Sequence, residues 1–288
     1  MRVLLIVLYL KSCVTFDIPQ NNCKTDLSID NDHYNVTESY DLGNSFPSDA
    51  HYDINGNLFF VESGRNLEGY YFNIKTIKAN TTSAQEISGL PQGESYSVAV
   101  DKKNEKVYFG TSRGIFLYKH TTNEATLASD PDLRLNMLFI DKDGNKYITD
   151  SPDGVEELYL LAENKKIRFS TFEDLNEMAV DGRNNFYFIK EEKLFVLKSN
   201  LSKPLFIGDV SYEGYAQISF YRNVVYIASE TLSYIHENDS GPLKLVKNIP
   251  GKVTAIAFDK TGNFVLGTNG KFLKYTKIDN NDCYHRRN

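Results

Sequence analysis

Beyond its first residues the chain has no apolar run long enough to cross a bilayer, and it has no block of lysine and arginine. The first lack excludes a membrane-spanning helix from the body of the protein. The second argues against nucleic acid or an anionic membrane as partner, because both are bound through positive charge that displaces counterions. Arg286-Arg287 is too small a pair to change this. No G-x-S-x-G elbow is present to carry a serine nucleophile. The glycines punctuate turns singly and do not build a phosphate-cradling loop. Cysteine is limited to Cys13, Cys23 and Cys283.

The start of the chain reads as an export signal. Met1-Arg2 precedes the short apolar run Val3-Leu4-Leu5-Ile6-Val7-Leu8-Tyr9-Leu10, which has the length of a secretory core. Cleavage after Thr15 places Cys13 and Thr15 at the small-residue positions, so residues 1–15 are expected to be a signal peptide and residues 16–288 one domain. Removing Arg2 and Lys11 leaves 30 basic against 38 acidic residues, a mature charge of −8. It also leaves Cys23 and Cys283, one near each end, which are expected to pair in an oxidising compartment. Sequons at Asn35, Asn80, Asn200 and Asn238 fit a secreted glycoprotein.

What fills the chain is a repeat. Residues 52–60, 98–109, 138–148, 179–188, 218–227 and 257–266 carry one phrase: a β-branched or aromatic strand, a turn rich in Asp, Asn, Gly or Lys, and a second strand. The anchor positions Asp53, Asp101, Asp141, Asp181, Tyr221 and Asp259 recur at close to forty residues. A third strand follows in each unit, as at residues 115–118, 157–161, 194–197 and 272–275. This is the pattern of an all-β, six-bladed β-propeller with four-stranded blades. The anchor Asp residues are expected to hold turn backbone and not to do chemistry. The sixth unit lacks an outer strand, which residues 35–40 can supply. That closure would bring Cys23 and Cys283 together.

Function is expected on the face where loops lead into the inner strands. Asn136 and Asn176 stand five residues before their anchors, so they project alike from successive blades. They are candidate oxygen ligands for one cation. At the same offset the other blades carry Ser48, Tyr96, Ala216 and Thr254, with Asp49, Glu62, Asp150 and Glu177 as nearby carboxylates. In blade number and in those two Asn, the chain resembles the calcium-dependent lactonases and esterases of the gluconolactonase type; this implies an alternative, metal-dependent hydrolytic activity. The missing carboxylates at that offset count against it. The five histidines, His33, His51, His120, His236 and His285, fall at unrelated points of the repeat and do not form a metal cluster. No cofactor and no catalytic residue is expected.

Nineteen Tyr and eighteen Phe make the chain strongly aromatic. Tyr96 and Tyr215 fall in loops at the channel mouth, where a ring can stack on a flat ligand. Arg65, Arg113 and Arg134 lie on the same face and can meet a carboxylate or an aromatic plane. Phrases such as Glu156-Glu157-Leu158-Tyr159-Leu160-Leu161 and Ala257-Phe258-Asp259-Lys260-Thr261-Gly262-Asn263, with the six repeats and the export signal, resemble the insect ommochrome-binding proteins. That resemblance implies a non-catalytic haemolymph carrier of a planar, tryptophan-derived pigment bearing carboxylate and amino groups.

Overall fold

A computed structural model describes residues 25–129, 133, 135–150, 156–162, 165–173, 175, 177–211, 214, 216–237, 239 and 241–278. The described residues form six antiparallel sheets arranged as the blades of a propeller. The inner strands are Phe46–Tyr52, Ser95–Asp101, Leu138–Ile140, Glu177–Val180, Gln217–Tyr221 and Val253–Phe258. The expected signal peptide, Cys23 and Cys283 lie outside the described residues, as does Asn238.

The expected turn chemistry is present. Asp141 Oδ1 accepts the backbone N–H groups of Asp143 and Asn145, both at 2.9 Å, while its Oδ2 accepts Asn145 Nδ2 at 2.8 Å. Asp53 with Asn57, Asp181 with Asn185, and Asp259 with Asn263 repeat this arrangement. The residue before each Asn has a positive φ, which explains Gly at positions 56, 144 and 262 and Asn at 184. Asn57, Asn185 and Asn263 then accept a backbone N–H from the end of the third strand or just past it, at Ala79, Ser199 and Lys277, and so tie three strands together. Blade two uses the shorter pair Asp101 and Asn104. Blade five replaces the pair with a tight turn at Arg222 and Asn223, both at positive φ.

The aromatic content goes largely between blades. Each blade-to-blade interface holds its own hydrophobic cluster. Between blades one and two, for example, Phe59 meets Tyr118 edge-on at 4.9 Å and Phe109 at 6.0 Å. Such buried, interlocked rings stabilise the ring of blades by burial plus quadrupole contact.

Closure follows the expected route and adds to it. Strand Asp32–Asp41 pairs with Lys271–Ile278, completing blade six from the N-terminal side. A further strand, Leu27–Ile29, pairs outside it, so this blade has five strands where four were expected. Three residues are too short to register as a strand in the sequence, but Leu27 and Ile29 are buried. The hairpin then reaches blade five, where Tyr234 Oη donates to Asp30 Oδ1 at 2.7 Å and His236 Nε2 meets Asp30 Oδ2 at 2.8 Å.

Asn185→Ala should lower stability by about 2 kcal/mol, because it strips one buried turn of several hydrogen bonds. Urea denaturation measures this. A change under about 0.5 kcal/mol would show that the Asp–Asn pairs do not hold the blades.

Candidate functional site

An inner strand of a propeller has one edge paired within its blade and one edge bare. The bare edges enclose a cavity of about 610 Å³ along the axis. Its upper half, where the inner strands begin, is lined by Asp49, His51, Tyr96, Ser97, Asn136 and Glu177. Its lower half is more aromatic, with Tyr52, Phe139, Phe220 and Tyr221 beside Lys102 and Lys142.

The upper wall is organised by one repeat position, four residues before each anchor. Asp49 Oδ2 in blade one accepts the N–H of Val98 in blade two at 2.5 Å. The Glu177 carboxyl in blade four lies near the N–H groups of Met178 and of Ile218 in blade five, which favour its ionised form. Gln217 Oε1 in blade five accepts Ile256 N of blade six at 3.0 Å and Ala50 N of blade one at 3.1 Å. Its Nε2 donates to Ala50 O at 2.8 Å. The equivalent residue of blade two, Ser97, is only 3% exposed, and its hydroxyl has no partner among the described residues.

Local backbone explains the aim of Asp49. The inner strand of blade one is bulged between Ser48 and His51, and Asp49 takes a left-handed φ of 43°. Asp tolerates this conformation better than most residues. Its Oδ1 lies 2.8 Å from His51 Nε2.

Electrostatics separates the two acids. Burial pushes the Glu177 carboxyl well above the usual carboxylate range, and the charge of Asp49 pushes it further the same way. The two backbone N–H groups oppose that shift but do not cancel it. Tyr96 is raised by burial and then by Glu94, and its ring sits 5.4 Å from Phe72. At the lower mouth, burial holds the Lys102 amine below its ordinary range.

Of the residues expected at the site, Tyr96 and Asn136 line the channel together. Arg65 and Arg113 are exposed and stand outside its described lining; Arg65 lies over the Tyr70 ring at 5.6 Å. Arg134, Asn176 and Tyr215 lie outside the described residues. Glu62 is engaged by Lys75 at 2.7 Å and Ser45 at 3.0 Å, and Asp150 by Lys166 at 2.6 Å. His51 and Ser97 were not singled out from the sequence, and Asp49 and Glu177 appeared there only as neighbours. The signal was the next position inward, on the strand itself and not on the loop before it.

A calcium site wants six to eight oxygens. Both Asp49 oxygens are already committed to hydrogen bonds. Among the described residues, no three His, Cys, Asp or Glu side chains come together as a metal site. The described donor set does not fit that ion.

Fold and channel together define a six-bladed β-propeller with a lined axial cavity. No family model matches the chain. It is similar to the ommochrome-binding protein of Manduca sexta, with 25% identity over 231 residues covering 77% of this chain and 80% of that one. Among solved structures it resembles a gluconolactonase from Xanthomonas campestris, with 13% identity and a TM-score of 0.66 over 86% of this chain and 90% of that one. A streptogramin B lyase (12% identity, TM-score 0.53, 84% of this chain and 97% of that one) is a second such likeness. These structural likenesses establish the fold.

Glu177→Gln should stabilise the protein at neutral pH. The folded state holds the Glu177 proton more tightly than the unfolded chain does, so stability at this site falls as pH rises above the ordinary carboxylate range. Urea midpoints of variant and wild type should coincide near about pH 4 and separate in the variant's favour by about pH 8. Equal midpoints at both would rule out the raised acid.

Proposed function

We propose that the chain is a secreted, non-catalytic carrier that holds an ommochrome pigment or a related planar tryptophan-derived metabolite in the upper half of its channel. The observation that carries this reading is the cavity itself. Tyr96 and Phe72 offer aromatic surface beside the polar groups of Asn136, His51 and Asp49. A wall with apolar area and a few placed polar groups suits a flat ligand with polar substituents. Similarity along most of the chain to an ommochrome-binding protein supports the same ligand class.

Export fits this role. Residues 1–15 have the form of a signal peptide. Asn80 and Asn200 are exposed and accessible to glycosylation, whereas Asn35 is half-buried in a strand and accepts Asp26 N–H at 3.2 Å. A Cys23–Cys283 bond would hold the two ends of blade six. Hydrolysis assisted by calcium has the fold-level likeness to a gluconolactonase in its favour, but the described oxygens do not support it.

Purified protein titrated with an ommochrome should show saturable quenching of its tyrosine emission, unaffected by chelator. Tyr96→Ala should weaken binding about tenfold, the value of one lost stacking and hydrogen-bonding ring. Turnover of lactones or aryl esters that chelator abolishes would overturn the carrier reading.

A further inference from the structure

Two positions of the repeat shape the lower mouth of the channel. One residue before each anchor the wall is apolar throughout: Tyr52, Val100, Ile140, Val180, Phe220 and Phe258 all line the cavity. The aromatic members belong to blades one, five and six, and Phe220 and Phe258 are only half-buried there. One residue after the anchor the character reverses. Blades two and three carry Lys102 and Lys142, which line the cavity, and blades five and six carry Arg222 and Lys260. In a ring of six, blade two stands opposite blade five, so Lys102 and Phe220 lie on opposite sides of one mouth. Among these cations Lys102 is set apart. Lys142 meets Asp143 at 3.2 Å and Arg222 lies over the Tyr221 ring at 5.2 Å, whereas Lys102 has no hydrogen-bond, ion-pair or ring partner among the described residues. Its side chain is open to solvent, yet surrounding protein holds its amine below the ordinary lysine range, and no acid is close enough to oppose that. Both are true of a group inside a channel, which water reaches and protein encloses. The acids of this half, Asp141 and Asp181, are engaged by their own turns. A lysine kept for solubility alone would stand in bulk water. This one is desolvated without a counter-charge, a costly placement that an anion would offset.

We propose that the lower half of the channel is a second binding site, which takes a small aromatic carboxylate with its carboxylate group on the Lys102 amine and its ring against Phe220 and Phe258. This goes beyond the carrier reading, which places the pigment in the upper half. A single free amine beside rings matches a ligand with one negative charge and a flat apolar body. The apolar ring of residues next to the amine limits water at the pair, which strengthens a charge-assisted hydrogen bond. Lys142 adds positive charge from the neighbouring blade. Arg222 and Lys260 extend it around the mouth, so that an anion is drawn to this end of a chain whose net charge is −6.

Indole-3-acetate and indole-3-acetamide provide the test, since they share ring and chain and differ in a carboxylate against a neutral amide. The protein contains no Trp, so indole emission reports the probe alone. At neutral pH the carboxylate should bind about tenfold more tightly than the amide, the value of a charge-assisted hydrogen bond. Lys102→Met keeps a long side chain without the charge, and should shrink that preference to about twofold or less with amide affinity unchanged. Lys260→Met removes a cation of the same mouth that stands outside the lining, and should leave the preference intact. Equal affinity for the two probes, no saturable binding of either, a preference that survives Lys102→Met, or equal losses in the two variants overturns the proposal. Tyr96→Ala separates the two sites. It should weaken ommochrome binding and leave indole-3-acetate unaffected; a matching loss for both would put the probe in the upper half and remove this inference alone. A carboxylate preference that holds while the pigment fails to bind removes the carrier reading alone.

Discussion

The bare inner edge of each blade is the constraint on which the structure depends. Backbone N–H groups that face a central cavity must find acceptors, and no neighbouring strand lies close enough to pair with them regularly. This chain meets the demand with side chains that reach from one blade to the next: Asp49 to Val98 and Gln217 to Ile256. Thr254 closes the circle by donating to the Pro47 carbonyl. Asp49 thereby both joins two blades and lines the cavity, whereas Gln217 and Thr254 make their joints behind the lining. Chemistry at Asp49 acts on a group that also holds the ring together.

Farther out, the problem is solved locally. Each Asp–Asn pair folds its own turn, three of them also tie their own third strand, and each interface packs its own hydrophobic cluster. Such modules are nearly independent, as expected of a repeat architecture. Blade five shows the margin this allows. It lacks the pair, and Tyr221 stacks on Phe258 of blade six at 4.6 Å with the rings almost parallel. A contact between blades thus stands where the other blades have a bond within the turn.

This division explains what could be read from residues alone. Turn chemistry is local, so the six anchors, the hairpins and the structural duty of Asp141 or Asp181 were legible, and the missing outer strand pointed to residues 35–40. The channel wall is not local. Counting five residues back from each anchor lands on Tyr96 and Asn136, which do line the cavity, while the linked acids sit four back, on the strand. Bulges at Asp49, Tyr96 and Thr254 shift the register in three of the six blades, and a bulge leaves little trace in a hydrophobic pattern. Arg65 misled for a similar reason. The hairpin of blade one runs on to Asn66 and Gly69, which carries its tip away from the axis.

The seam of the ring and the geometry of the cavity are consequently inseparable. Blade one, which carries Asp49, is joined to the last two blades by Thr254 and by Gln217, through Pro47 and Ala50 on either side of that acid. These joints link residues more than 160 positions apart, the kind of contact that forms late because its loop-closure cost is high. Until they form, nothing fixes Asp49 opposite Glu177, and neither carboxyl group feels the other. The N-terminal hairpin, its hold on blade five through Asp30, and the final strand pairing do more than complete a blade. They hold two acids in the wall of one channel, where the charge of Asp49 adds to what burial already does to Glu177.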